Sequence, residues 1–268
     1  MVRPLASLAR EDVAGLRGVF FDLDDTLLTH GLLEREAYGA LWDLHDAGIP
    51  LVAVTGRPSG WAEVFVRNWP IDGAVTENGA VFVVRAGKGA SVITEEGFAE
   101  RRARLDALVG AVREAMPDLV LSDDVRARRS DVTWDIGERV VVAEDRVAML
   151  GRLVVAAGAR TTRSTVHLHA SYERDDKASG ALRFARTRLG EDPGRVVSTW
   201  AFVGDSPNDA ACFAALRLTF GVANVRPFVS KLSVPPRWIA AAERGAGFAE
   251  IARAILAKRG GRQGGSAS

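Results

Sequence analysis

Gly18-Val19-Phe20-Phe21-Asp22-Leu23-Asp24-Asp25-Thr26 joins a short apolar run to three carboxylates and a hydroxyl. A run with nothing polar inside it and an abrupt polar end reads as a strand buried on both faces, the kind found in parallel sheets. Carboxylates at alternate positions just past such a strand converge on one spot at the carboxyl edge of the sheet. That edge is where open α/β sheets bind ligands.

Working outward, the pattern of a strand followed by a helix repeats. Glu34 to Ala47 reads as a helix with Ala37, Leu41 and Leu44 on one face, stopped by Gly48 at the usual glycine position. Pro50 to Thr55 reads as a second buried strand, Ser59 to Trp69 as a helix, and Ala74-Val75 as a short strand running into Thr76-Glu77-Asn78-Gly79. The texture then changes. Glu95 to Met116 and Glu144 to Ala157 read as helices; Arg126 to Ile136 and Arg160 to Ala170 read as strands, the latter with a turn near Arg163-Ser164. The first texture returns with a helix over Asp176 to Leu189, a strand over Val196 to Val203, a helix over Ala210 to Leu216 and a final strand over Leu218 to Val222. The fold class is therefore α/β, a Rossmann-like parallel-sheet core interrupted by an inserted α+β module. The boundaries expected are 1–82 and 170–259 for the core, 83–169 for the insert, and a disordered tail at 260–268, where GGRQGGSAS has nothing to bury.

Composition narrows the function. The chain has 268 residues with 35 basic and 34 acidic side chains, a formal charge of +1. That balance gives no electrostatic case for nucleic acid or a membrane surface. One cysteine, Cys212, supplies neither an intramolecular disulfide nor a cysteine zinc site. No apolar run is long enough to span a bilayer and the N-terminus lacks a secretory pattern, so a cytoplasmic protein is expected.

Two further strands end in groups of chemical interest, Thr55-Gly56-Arg57 and Gly204-Asp205-Ser206-Pro207-Asn208-Asp209. Each alone is an ordinary turn or helix cap. Together they deliver carboxylate, hydroxyl and amide groups to one sheet edge. Carboxylates gathered in one place repel unless a cation joins them. Hard oxygen donors without a thiolate point to Mg²⁺.

At this point the sequence resembles the haloacid dehalogenase-like hydrolases, over about Val19 to Ala254. The family's first motif, Asp-x-Asp-x-Thr, is present as Asp22, Asp24 and Thr26; its strand-end hydroxyl is Thr55, its lysine Lys177, and its acidic pair Asp205 and Asp209. The Thr76-Glu77-Asn78-Gly79-Ala80 run and the placement of the insert, which becomes a cap domain in this light, resemble the class II B branch. Gly204 to Asp209 looks closest to its mannosyl-3-phosphoglycerate phosphatase-like members. Departures are small: many relatives have Gly where this chain has Asp25, and Lys-Gly where it has Lys177-Ala178.

The resemblance implies a Mg²⁺-dependent phosphatase that hydrolyses a small phosphorylated sugar or sugar acid through an aspartyl-phosphate. Alternatives are a phosphosugar mutase of the phosphomannomutase kind and a catalytically silent phospho-ligand-binding protein. Asp22 is then the nucleophile, Asp24 the general acid and base, and Thr55 and Lys177 the phosphoryl-oxygen ligands. Asp22, the Asp24 carbonyl and Asp205 hold the metal, with Asp209 acting behind them. Gly56, Arg57, Glu77, Asn78 and Asn208 fall where substrate is met. The only expected partner is the small metabolite, and the chain is a monomer or a homodimer.

Other residues invite weaker readings. Arg126, Arg128 and Arg129 could greet an anion or simply face solvent. Trp61, Trp69 and Trp134 could stack on sugars, although buried aromatics are the usual case. His167 and His169 share one face of a strand and could hold a metal or pack in the cap.

Overall fold

The computed structural model describes residues 2–163 and 166–259. Its strands in chain order are β1 (Arg3–Pro4), β2 (Gly18–Phe21), β3 (Leu51–Val54), β4 (Gly73–Thr76), β5 (Val81–Ala86), β6 (Gly89–Ile93), β7 (Asp131–Asp135), β8 (Arg160–Arg163), β9 (His167–Ser171), β10 (Trp200–Gly204), β11 (Leu218–Gly221) and β12 (Trp238–Ile239). Its helices are α1 (Arg10–Val13), α2 (Arg35–Asp46), α3 (Ser59–Asn68), α4 (Phe98–Ala115), α5 (Glu144–Ala156), α6 (Lys177–Leu189), α7 (Pro193–Thr199), α8 (Ala210–Ala215) and α9 (Arg244–Arg259).

Among the described residues nine strands form one sheet in the order β1-β12-β11-β10-β2-β3-β4-β5-β6. Pairing is parallel from β1 through β4, and antiparallel where β5 and β6 close the far edge. The α/β class with a mostly parallel sheet is thus as the strand patterns indicate. Side-chain alternation splits the core into two layers. Phe21 packs with residues of α2, α3 and α9 on one face, and Phe20 packs with residues of α6, α7 and α8 on the other. In α2 the spacing of Ala37, Ala40, Leu41 and Leu44 gives one buried stripe. Gly48, with φ of 69°, follows the end of that helix.

The insert is a three-stranded antiparallel sheet, β7-β9-β8, with α4 and α5 on one face. Val132, Trp134, Leu168 and Ala170 point into that packing, and Trp134 is only 2% exposed. Trp134 is therefore core and does not stack on a ligand.

Several expectations need correction. The boundary at 82–83 falls inside β5, and β5 and β6 hydrogen-bond into the large sheet. The chain leaves that sheet between β6 and α4, around residues 94–97, and returns between β9 and α6, around residues 172–176. The strand expected over Val196 to Val203 begins only at Trp200; its first half is α7. There Asp192 caps the Arg195 N–H and Pro193 occupies the first turn, and cap chemistry outweighs the β-branched Val-Val pair. The strand expected over Arg126 to Ile136 starts at Asp131, after a 3₁₀ turn at Asp123–Ala127, so none of the three arginines lies on a strand face. Leu218 to Val222 is not the last strand, since β12 and the long helix α9 follow. The turn near Arg163-Ser164 and the tail at 260–268 lie outside the described residues. Among the described residues no helix is long and apolar enough to cross a membrane.

Candidate active site

The register brings the expected groups together. Phe21 pairs with Val203 on one side and Ala53 on the other, so β2, β10 and β3 end side by side. Asp22, Asp205 and Thr55 follow at the same edge, all buried. The Asp22 N–H donates to the Val203 carbonyl at 2.9 Å and the Thr55 N–H to the Val75 carbonyl at 2.9 Å, which fixes both strand ends.

Lys177 comes from the first turn of α6. Asp176 caps that helix, its side chain accepting from the Ser179 N–H while the Ser179 hydroxyl accepts from the Asp176 N–H. The helix start lies against the 77–79 turn so closely that a Cβ on Gly180 would sit 2.4 Å from the Gly79 Cα. Only glycine fits on either side of this contact, because a Cβ on Gly79 would meet the Asp176 carbonyl oxygen at 2.1 Å. Lys177 is 3% exposed, and its Nζ donates to Asp22 Oδ1 at 2.7 Å and to Asp209 Oδ1 at 2.8 Å. The other Asp209 oxygen accepts from the Asp205 N–H at 2.9 Å. Asp209 is thus held from both sides and positions Lys177.

Electrostatics follow from this packing. Burial pushes the Asp22 carboxyl well above its usual range, with Lys177 opposing and Asp209, Asp205 and Asp24 adding to the rise. Burial alone would lower the Lys177 ammonium, but Asp209 and Asp22 outweigh it and hold the group above the ordinary lysine range. Asp205 is pushed up to about 7, first by burial and then by Asp209, with Lys177 opposing.

Among the described residues, each neighbouring carboxylate has a cation except Asp205. Asp22 and Asp209 share Lys177, Asp24 pairs with Arg57, and Asp25 pairs with Arg244. Asp205 has neutral donors, the Thr26 hydroxyl at 3.3 Å and Asn224 Nδ2 at 2.9 Å. One oxygen each of Asp22, Asp205 and Asp209 lie within 4.8 Å of one another, the one such group among the described residues. An all-oxygen donor set with excess negative charge and one uncompensated carboxylate fits a hard divalent cation.

The remaining expected residues spread more widely. Thr55 Oγ1 accepts from the Arg57 N–H at 3.1 Å, and the Thr55 carbonyl from the Asn78 N–H at 3.1 Å. Arg57 grips both oxygens of Asp24, through Nε at 2.9 Å and through Nη2, while its guanidinium stacks 4.0 Å above the Trp61 ring. Beside it a groove of about 420 Å³ is lined by Leu23, Leu28, Trp61, Phe65 and Trp69, so two of the three candidate tryptophans do face open space. Asn208 is exposed on the 207–209 turn.

Glu77 does not line an entrance. It is buried, and its carboxylate accepts from the Ser59 N–H at 3.0 Å, the Arg129 N–H at 3.0 Å and the Ser130 hydroxyl at 2.7 Å, tying α3 to the chain entering β7. Arg128 is likewise spoken for, bound to Asp124 at 2.7 Å, Asp131 at 3.0 Å and the Gly56 carbonyl at 3.1 Å. His167 faces Glu138, and His169 faces Asp131 and Thr133. Neither histidine belongs to the acidic group that could hold a metal.

Sequence reasoning missed Asn224 and Arg244. Their one signal was position: Asn224 follows β11, which ends at the same edge as β10 and β2.

Fold and edge chemistry together define a mostly parallel α/β core with an acidic site at its carboxyl edge and a small α+β insert. Residues 19–104 match the family model described as haloacid dehalogenase-like hydrolase. No curated protein matches the sequence. Among solved structures, a haloalkanoate-superfamily phosphatase of Bacteroides thetaiotaomicron is 19% identical, with 94% of this chain and 98% of that one covered at a TM-score of 0.63. The sucrose-phosphatase of Synechocystis, solved with sucrose and phosphate, is 16% identical, with 90% and 97% covered at 0.62. A subclass IIB sugar phosphatase is also 16% identical, with 90% and 98% covered at 0.62. The likeness to the haloacid dehalogenase-like hydrolase model covers residues 19–104, and phosphatases, one of them a subclass IIB sugar phosphatase, are among the solved structures that share the whole fold.

Proposed function

We propose that the protein is a Mg²⁺-dependent phosphomonoesterase acting on a small phosphorylated sugar or sugar acid. The observation that carries this reading is the arrangement around Lys177: one ammonium bridges the nucleophile candidate and Asp209, while the adjacent Asp205 has no cationic partner among the described residues.

Asp22, the Asp24 carbonyl and Asp205 would hold the cation, and Asp209 would act from behind by fixing Lys177 and the Asp205 N–H. Bound there, the cation would neutralise charge on the phosphoryl group and on the carboxylates facing it. An Asp22 oxygen attacks phosphorus as the bond to the leaving oxygen breaks, and Asp24 gives that oxygen a proton. Water then attacks the aspartyl-phosphate, Asp24 takes its proton, and the acyl phosphate bond breaks to return the Asp22 carboxylate and free phosphate. Thr55 and Lys177 offset the charge on the phosphoryl oxygens through both steps. Arg57 now occupies both oxygens of Asp24, so it has to turn away before one of them reaches a leaving group. The turned guanidinium is then available to the substrate. Gly56, Asn78 and Asn208 border the same edge and complete the expected substrate contacts.

The likeness to sucrose-phosphatase supports a phosphorylated sugar as the ligand class. The setting of this reading is cytoplasmic, as expected from the sequence. Phosphate release should be screened over sugar phosphates, glycosyl-phosphoglycerates and nucleotides, with Mg²⁺ and with chelator. Release that needs the metal and disappears in Asp22→Asn supports the reading. Isomerisation without release would favour a mutase, and binding without either would favour a silent protein.

A further inference from the structure

Two residues with left-handed backbones meet beside the acidic group. Asp25 has φ of 55° and Arg244 has φ of 49°, a region that favours glycine. Arg244 Nε donates to Asp25 Oδ1 at 2.8 Å, and the Arg244 N–H donates to Asn224 Oδ1 at 3.1 Å. Asn224 Nδ2 in turn reaches the Asp25 carbonyl at 3.0 Å and Asp205 Oδ2 at 2.9 Å. The partners fix the amide's orientation: its oxygen faces a donor and its nitrogen faces two acceptors. One side chain from the segment after β11 therefore grips both the loop after β2 and the carboxylate after β10.

We infer that Asn224 is a positioning residue for the divalent-cation site, and that Arg244, at the start of α9, holds Asn224 and the Asp25 loop in place for it. The inference rests on the cation site of the proposed function. Its logic is one of charge. A lysine or arginine at 224 would orient Asp205 but also neutralise it. The neutral amide orients Asp205 and leaves its charge for the incoming ion. The cation of this cluster, Arg244, is directed instead at Asp25. The same pairing explains how an aspartate is accommodated at a position whose backbone suits glycine. Its carboxylate is satisfied by Arg244 rather than left to repel Asp205.

The test is a calorimetric Mg²⁺ titration of the full chain, wild type and variants, with the metal-free melting temperature recorded for each. Asn224→Ala should weaken Mg²⁺ binding by about tenfold or more, with the metal-free melting temperature nearly unchanged. Arg244→Ala should weaken it to a lesser extent. Adding Asp25→Gly to Arg244→Ala should restore it, because glycine holds the loop conformation unaided and removes the unpaired carboxylate. Should Asn224→Ala not fold, the Arg244 pair decides. Wild-type affinity in Asn224→Ala overturns the inference, as does a loss of affinity only in step with a collapse of metal-free stability. Failure of the double variant to recover overturns the role given to Arg244. A wild-type protein that takes up no Mg²⁺ overturns the cation site itself, and the inference with it.

Discussion

Raising the pH of the metal-free protein from 5 to 8 should destabilise it, and Mg²⁺ should reverse the loss. Asp205 carries part of the effect, and the raised Asp22 carboxyl adds to it in the same direction. Its carboxyl is pushed from an ordinary 3.8 up to about 7, chiefly by burial and by Asp209. A carboxyl raised in the folded state binds more protons folded than unfolded. Stability is therefore full below the unfolded value and falls as pH rises from about 4 to about 7. The gap between 3.8 and about 7 corresponds to an upper bound of about 4 kcal/mol. Mg²⁺ must displace the proton below pH 7, so its affinity should climb by up to about tenfold per pH unit there and level off above. Asp205→Asn separates the two contributions, since the amide keeps the shape and removes the charge. At pH 8 without metal this variant should melt above wild type, by about 2–4 °C for each kcal/mol recovered, while its Mg²⁺ affinity collapses. The assay is a melting series with chelator from pH 5 to 8, paired with Mg²⁺ calorimetry over the same range. A flat affinity profile, or an Asp205→Asn protein that melts well below wild type at pH 8 without metal, refutes the argument.

Three further outcomes are expected. Asp22→Asn should abolish phosphate release with the fold intact, checked by turnover and by circular dichroism on a sample shown free of deamidation. Lys177→Met should cost about 3–5 kcal/mol of stability, because it leaves Asp22 and Asp209 buried without their shared cation; chemical denaturation above pH 7 reads this directly, and the deficit should shrink toward pH 4 as a carboxyl protonates. Trp134→Ala should lose about 3–5 kcal/mol from a cavity among α4, α5 and the small sheet, while the ranking of substrates in a phosphate-release screen stays the same.

The sheet was legible because its strands announce themselves. Gly18 to Phe21 and Leu51 to Val54 are continuous apolar runs that stop at polar groups, and the stops mark the ligand edge. Lys177 was legible for another reason: it stands at a helix start in a chain with only three other lysines, Lys88, Lys231 and Lys258. What stayed hidden depended on distant partners. Val196 and Val197 look like a strand locally and are helical because Asp192 and Pro193 start a turn before them. Val83 to Ile93 looked like the insert because its far strand, Gly89 to Ile93, is short and half-exposed, as an edge strand is. Asn224 and Arg244 meet Asp25 from some two hundred positions away, and no spacing along the chain reports such a contact. Glu77 looked like a site residue from its neighbours, whereas its partners lie around Ser130.

That last carboxylate bears on anyone who would treat the insert as an exchangeable cassette. Sequence crossings alone suggest two cuts, near 94–97 and 172–176. Glu77 adds a third seam, through the Arg129 and Ser130 amides, with Arg128 reaching the Gly56 carbonyl alongside. A cap grafted from another protein by matching the two junctions would leave the Glu77 carboxylate buried with the Ser59 N–H but without its Arg129 and Ser130 donors. Such a chimera would be weakened at the base of the graft, next to the Thr55-Gly56-Arg57 turn. Transplanting specificity onto this scaffold therefore requires either carrying residues 127–130 over unchanged or replacing Glu77 with an apolar side chain of similar size.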